Sequence, residues 1–163
     1  MSGKAFVFGD NIDTDMLAPG LYMKFGIEDI ARHCLEAIDP AFAATVRAGD
    51  FVVGGDNFGM GSSREQAPQA LRHLGVAAVI ARSFAGLFFR NAVNLGLAPL
   101  VCADIEKIAT GDELAVDAAR GTIENRTTGA SLRCEALPAH LLAMLNDGGL
   151  IPHLEKKLKA ARQ

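Results

Sequence analysis

At 163 residues the chain has the length of one domain, so a single unit over residues 1–163 is expected. Apolar residues make up 50% of it, charged residues 21%, and the formal charge is −3, which excludes a basic nucleic-acid footprint and attraction to an anionic membrane. No apolar run reaches the roughly 18–20 residues of a membrane-spanning helix, and the opening MSGKAFVFGD has no signal-peptide pattern, so a cytoplasmic protein is expected.

In chain order, Lys4 to Phe8 reads as a short buried strand that runs into the polar loop Gly9 to Asp15. Glu28 to Ile38 has helical spacing through Ile30, Ala31, Cys34, Leu35 and Ile38, and Asp39-Pro40 ends it. Phe51-Val52-Val53 is a strand that enters a loop, Gly54 to Gly61, holding four glycines. A helix is expected from about Ser63 to His73, with Ala67, Ala70, Leu71 and Leu74 on one face and Gly75 as its stop. The continuous apolar run Val76 to Ala81 marks a strand covered on both faces. A helix from Phe84 to Leu95 and a buried strand from Leu97 to Cys102 follow.

This alternation implies an α/β fold with a largely parallel sheet. After residue 110 the pattern changes to short antiparallel strands, Glu113–Val116, Thr122–Asn125 and Ser131–Cys134. Pro138 then opens a helix, His140 to Leu145, and the basic tail Lys156 to Gln163 reads as a solvated helix end.

Cys34, Cys102 and Cys134 are odd in number, widely separated and without C-x-x-C spacing. They read as small buried hydrophobes, not as a disulfide framework or a cluster site. His33, His73, His140 and His153 share no motif and read as half-exposed helix residues.

Three segments carry polar groups in chemically suggestive order. In Gly54 to Glu65 a strand feeds a glycine-rich loop, and Ser62, Ser63 and Arg64 follow where the next helix is expected to start. Free N–H groups, a helix dipole and an arginine fork would together suit a carboxylate, although serine also caps helices. The spacing is neither a Walker A loop nor a dinucleotide fingerprint. Asp10, Asp13 and Asp15 lack the spacing of a calcium loop, and an Asx-rich turn is the simpler reading. In the third segment, Arg82-Ser83-Phe84, Ser83 reads as a helix cap and Arg90 as a surface or ion-pair residue.

Together, Gly9 to Asp15, Gly54 to Ala67 and Ala81 to Ala92 resemble the small subunits of 3-isopropylmalate dehydratases and their homoaconitase-like relatives. The resemblance covers most of residues 4–102 and is most specific at Gly59 to Glu65. It implies the β/β/α layered swivelling domain of aconitases, and a large partner subunit whose three cysteines hold a [4Fe–4S] cluster. It also implies that Ser62 is the base and that Ser63 and Arg64 bind substrate carboxylate. No cofactor is then expected on this chain itself.

The chain departs from the family's pattern at Met60, where relatives often carry cysteine or arginine, and at Gly86, which lacks a cation that relatives place there. By the same resemblance, substrate choice falls to the loop Gly20 to Ile27, which has no arginine and offers Leu21, Met23, Phe25 and Ile27 with Lys24 as its one cation. That favours an apolar substituent, because burying a third carboxylate without a partner is costly. The leading expectation is isomerisation of 2-isopropylmalate in leucine synthesis. Dimethylmalate, methylmalate and homoaconitate stay open within the same chemistry, and a non-catalytic anion-binding module is the rival from another class. Apolar surface awaiting a partner is expected to favour homo-oligomers of the isolated chain.

Overall fold

A computed structural model describes residues 1–163. Strand β1 (Ser2–Val7) opens the chain and is followed by α1 (Thr14–Leu17), a 3-10 turn at Gly20–Tyr22, α2 (Ile27–Arg32) and α3 (Phe42–Thr45). Next come β2 (Phe51–Val53), α4 (Gln66–His73), β3 (Ala78–Ala81), α5 (Gly86–Asn94) and β4 (Ala98–Val101). After a 3-10 turn at Ile105–Lys107, strands β5 (Glu113–Asp117), β6 (Thr122–Asn125) and β7 (Ser131–Arg133) lead to α6 (Ala139–Asn146) and α7 (Leu150–Ala161).

All seven strands form one sheet in the order β4-β3-β2-β1-β5-β6-β7. Pairing is parallel from β1 to β4 and antiparallel from β1 through β5 and β6 to β7. Pro99 fits because β4 is an edge, where one ladder donor is dispensable.

Alternation along the inner strands feeds two cores. Val52, Val79 and Ala81 face a core completed by Leu17, Ile30, Leu71 and Phe88 from the helices. Phe51, Val53, Ala78 and Ile80 face the opposite core, with Leu114, Val116, Ile123 and Leu132 from β5, β6 and β7. The antiparallel extension therefore covers the second face of the parallel strands, which gives the β/β/α layering. This is why residues 76–81 read as an unbroken apolar run.

Two polar knots secure the sheet, one in the antiparallel half and one where the chain enters β2. Asp112, buried, accepts from Asn125 Nδ2 at 2.7 Å and from Ala109 N at 2.9 Å. Asp50 accepts from Lys4 N and Arg47 N at 2.9 and 2.7 Å. No buried side-chain nitrogen or oxygen lacks a partner, so neither group carries an unmet desolvation cost.

Several boundaries differ from the sequence expectation. The helix expected over 28–38 ends at Arg32, and the chain continues to Ile38 in turns. Leu35 takes a left-handed φ of 60°, held by a 2.8 Å bond from its N–H to the Met16 carbonyl and by complete burial of its side chain. Pro138 stands just before α6 as its N-cap, one position earlier than its usual place inside the first turn. Helices α1 and α3, each of four residues, were too short to leave a periodic signal. The tail belongs to a longer helix, α7, that starts at Leu150.

The glycine-rich loop depends on Gly59. Its φ is +83°, and a β-carbon there would collide with the Phe88 ring. Gly59→Ala is expected to destabilise the fold by about 2 kcal/mol or more, from left-handed strain plus overpacking. The midpoint of urea unfolding measures this, and an unchanged midpoint would show that both the loop backbone and Phe88 relax freely.

Candidate active site

Three loops leave the carboxyl ends of β1, β2 and β3 and brace one another at the edge where open α/β sheets bind ligands. Parallel pairing continues past the regular strands as single bridges, Asp13 with Met60 and Phe58 with Phe84. Gly59 N donates to Ile12 O at 2.6 Å, and Thr14 N donates to Met60 O at 2.9 Å. On the other side Phe58 N donates to Ser83 O at 3.0 Å and Ala85 N to Phe58 O at 2.9 Å. Beneath them the Phe58 ring, fully buried, meets Phe84 and Phe88 edge-on at centroid distances of 6.0 and 5.3 Å.

The Asp-rich turn is spent on this bracing, as an Asx-rich turn would be. Asp10 accepts from Asp56 N at 2.7 Å, and the Arg82 guanidinium lies 3.9 Å from both Asp10 and Asp56. Gly55 is required here, since a β-carbon would overlap the Asp10 carboxylate. Asp13 caps α1 by accepting from Met16 N at 2.8 Å. Asp15 accepts from Arg64 Nη1 at 3.0 Å and from Gly20 N at 2.9 Å. The Arg64 bond, then the Gly20 bond, hold the Asp15 carboxyl below its ordinary pKa of 3.8.

Asp15 thus couples two segments that the sequence left separate, Arg64 and the loop beginning at Gly20. A β-carbon at Gly20 would lie 3.3 Å from Asp15 Oδ1 and 3.7 Å from Arg64 Nη2. Arg64 also donates from Nη1 to Ala18 O at 2.9 Å. Both bonds use Nη1, which leaves Nη2 and Nε without a protein partner and able to meet a carboxylate as a fork.

Ser62 and Ser63 are exposed, and Ser62 Oγ lies 3.2 Å from Thr14 Oγ1. Neither serine caps a helix: α4 starts at Gln66 behind Glu65, and no side chain caps it. The helix expected to begin at Ser63 therefore begins three residues later. Its dipole, which fades within a turn, acts on Ser62 less than the sequence suggested. The polar neighbour of Ser62 is instead Thr14, whose hydroxyl can donate to it. Ser83 is likewise not a cap, because Ala85 holds that position in α5. Ser83 Oγ accepts from Asn57 N at 2.8 Å and so ties the third loop to the second.

In the loop of residues 20–27, Leu21 is 74% exposed, whereas Met23 packs partly against the helix-side core. Lys24 Nζ sits 5.3 Å from the Phe25 ring centroid and meets no carboxylate of this chain. Tyr22 stacks on His33 at 3.6 Å, and His33 Nδ1 lies 2.6 Å from Glu36. The structure therefore brings Ser62 to Thr14 and Arg64 to the loop, while Lys24 and Met23 make no hydrogen bond to the serines or to Arg64. Thr14 and Asp15 were missed as site residues. Their signal, polar groups beside Leu17-Ala18 in a segment read as a turn, has no meaning until residues 62–64 are folded against it.

The cysteines do not fit an iron–sulfur cluster. Cys34 lies in the helix-side core, Cys102 and Cys134 in the other, and all three are buried. Burial raises each thiol, Cys134 to about 11, so the thiolate that a cluster needs is disfavoured.

Residues 30–104 match the family described as the aconitase C-terminal domain. The 3-isopropylmalate dehydratase small subunit 2 of Archaeoglobus fulgidus is 48% identical over 158 residues, covering 96% of this chain and 95% of its own length. The methanogen homoaconitase small subunit of Methanothermobacter thermautotrophicus is 47% identical, covering 96% and 91%. A crystal structure of 3-isopropylmalate dehydratase from Methanocaldococcus jannaschii has a TM-score of 0.93 at 38% identity, covering 99% of this chain and 98% of that one. With near-complete coverage in both directions, the chain belongs to the 3-isopropylmalate dehydratase small-subunit family, within the aconitase-type hydro-lyases.

Proposed function

We propose that this chain is the small subunit of a cytoplasmic hydro-lyase that converts 2-isopropylmalate to 3-isopropylmalate by dehydration and rehydration in leucine synthesis. Its partner is a large subunit carrying a [4Fe–4S] cluster, and the isolated chain has no turnover. The observation that carries the reading is the Asp15 bridge, which sets the Arg64 fork against the loop of residues 20–27, next to the Thr14–Ser62 pair.

The cluster, when bound in the large subunit, supplies Lewis acidity toward the substrate hydroxyl and one carboxylate. On this chain, Ser62 Oγ removes the proton from the carbon beside a carboxylate, and that C–H electron pair becomes the double bond as hydroxide departs. Thr14 orients the Ser62 oxygen and can donate to it as an anion. Arg64 holds the carboxylate through Nη2 and Nε while Asp15 and Ala18 O fix the guanidinium, and Ser63 adds a hydroxyl. Negative charge that builds on the carboxylate as the proton leaves is thereby met by a fixed cation. In rehydration the serine returns a proton to the carbon that lost oxygen, and water adds to its neighbour.

The loop supports an apolar substituent, since Leu21 is presented outward and no arginine lies within residues 20–27. Dimethylmalate and methylmalate differ only in apolar bulk, which a pocket discriminates by about 1–3 kcal/mol per methylene. Homoaconitate is the second reading, favoured by one observation: Lys24 has no carboxylate partner and could serve a third one.

The experiment that tests the reading is an anaerobic pull-down from the native host, with iron content and 2-isopropylmalate dehydration followed on the eluate. A cysteine-ligated iron–sulfur partner with that activity is expected, and its absence would favour a non-catalytic binding module. In the reconstituted enzyme Ser62→Ala is expected to lower kcat by roughly 10²–10⁴-fold with subunit binding intact; normal turnover would remove Ser62 from the mechanism. Arg64→Lys should lower kcat/KM by roughly 10–100-fold, because an ammonium cannot reproduce the fork, and unchanged kinetics would move the carboxylate site elsewhere. Lys24→Ala should leave 2-isopropylmalate turnover within about threefold, as expected for a cation that meets no substrate charge. Homoaconitate turnover by the wild-type enzyme that this variant loses would overturn the substrate choice.

A further inference from the structure

We propose that the cleft between α5 and α6 is an anchor point for the large subunit, and that it receives an acidic side chain set among apolar neighbours. The inference rests on the reading above, in which a large subunit exists. The cleft has a volume of about 430 Å³, and Phe89, Leu141 and Met144 line it together with Arg82, Gly86 and Arg90.

Three observations support an incoming acidic group. Arg90 is exposed and pairs with no carboxylate of this chain, while Arg82 meets Asp10 and Asp56 only at 3.9 Å. The cleft also borders the first turn of α5, whose unpaired N–H groups and dipole favour negative charge. Gly86 has no internal reason to be glycine: its φ is not left-handed, and a β-carbon there would meet nothing within 4 Å. Glycine in a helix carries an entropic cost, so a bare backbone facing open space suits a group that approaches from outside.

A protein partner fits better than a free small acid. The cleft is open to solvent, whereas small ligands are mostly enclosed. It is also continuous with the catalytic face: Asn91 Nδ2, next to Arg90 on α5, donates to Ser63 O at 3.2 Å. Any protein that delivers substrate to Ser62 therefore approaches α5. Leu87 on α5 and Met60 in the glycine-rich loop, 49% and 39% exposed, add apolar surface on the same two elements. An apolar patch with arginines is the composition that anchors interfaces.

The test measures the dissociation constant between this chain and the large subunit isolated from the native host, by calorimetry under anaerobic conditions. Arg90→Glu and Gly86→Trp, the one reversing charge and the other filling the mouth, are each expected to weaken assembly at least tenfold. Gly86→Ala should stay within about twofold, and kcat at saturating large subunit should be retained in all three. Circular dichroism and melting temperature verify folding. Unchanged affinity in Arg90→Glu and Gly86→Trp would overturn the proposal. So would intact affinity with lost kcat, which would assign the cleft to substrate. Binding of 3-methylbutanoate to the isolated chain, abolished by Arg90→Glu while subunit affinity is unchanged, would assign it to a small acid instead. Failure of the wild-type chain to assemble with any large subunit would overturn the function reading itself, and this inference with it.

Discussion

The bond from Gly59 N to Ile12 O at 2.6 Å and the bond from Thr14 N to Met60 O at 2.9 Å carry parallel pairing beyond the regular end of the sheet. The matching bonds between Phe58 and residues 83–85 do the same on the other side. A loop that keeps ladder hydrogen bonds has little freedom, so residues 54–61 are positioned almost as a strand would be. Every candidate site residue hangs from this extension. Thr14 and Asp15 follow one bridge, Ser62 and Arg64 follow the other strand of that bridge, and Ser83 and α5 follow the third. Preorganisation of this kind matters for proton transfer, where small displacements cost large factors in rate.

The two cores make the extension possible. Because the inner strands are buried on both faces, the loops at their carboxyl ends are free to gather polar groups. The antiparallel strands close the second face without adding a group to the site. Their buried polar pair, Asp112 with Asn125, is satisfied internally. The C-terminal half thus acts as a cover that frees the other half for chemistry.

Charge at the site is arranged with economy. Arg64 is not a free cation; Asp15 and the Ala18 carbonyl orient it through one nitrogen and leave the others. The same Asp15 oxygen fixes the start of the loop of residues 20–27. The arginine and the loop are therefore mechanically joined at one acidic side chain, and an altered loop would be felt at the arginine.

Much of this was legible in the residues. Apolar runs bounded by glycine gave the strands from 51 to 101, because burial on both faces leaves no polar residue in them, and the order of three short segments pointed to the family. The sequence by itself determined which polar groups stand together along the chain, since a fork, two hydroxyls and a glycine-rich loop are local facts. It did not determine how α4 starts, why the helix at 27–32 stops early, or what Asp15 does. Those are long-range outcomes: Leu35 adopts a left-handed backbone because Met16 O and the core hold it there, and Ser62 faces Thr14 in place of a helix end because the loop is pinned to residues 12–14. Periodicity reports the preference of a segment for itself; only the packed chain decides which of two competing partners a backbone group or a carboxylate takes.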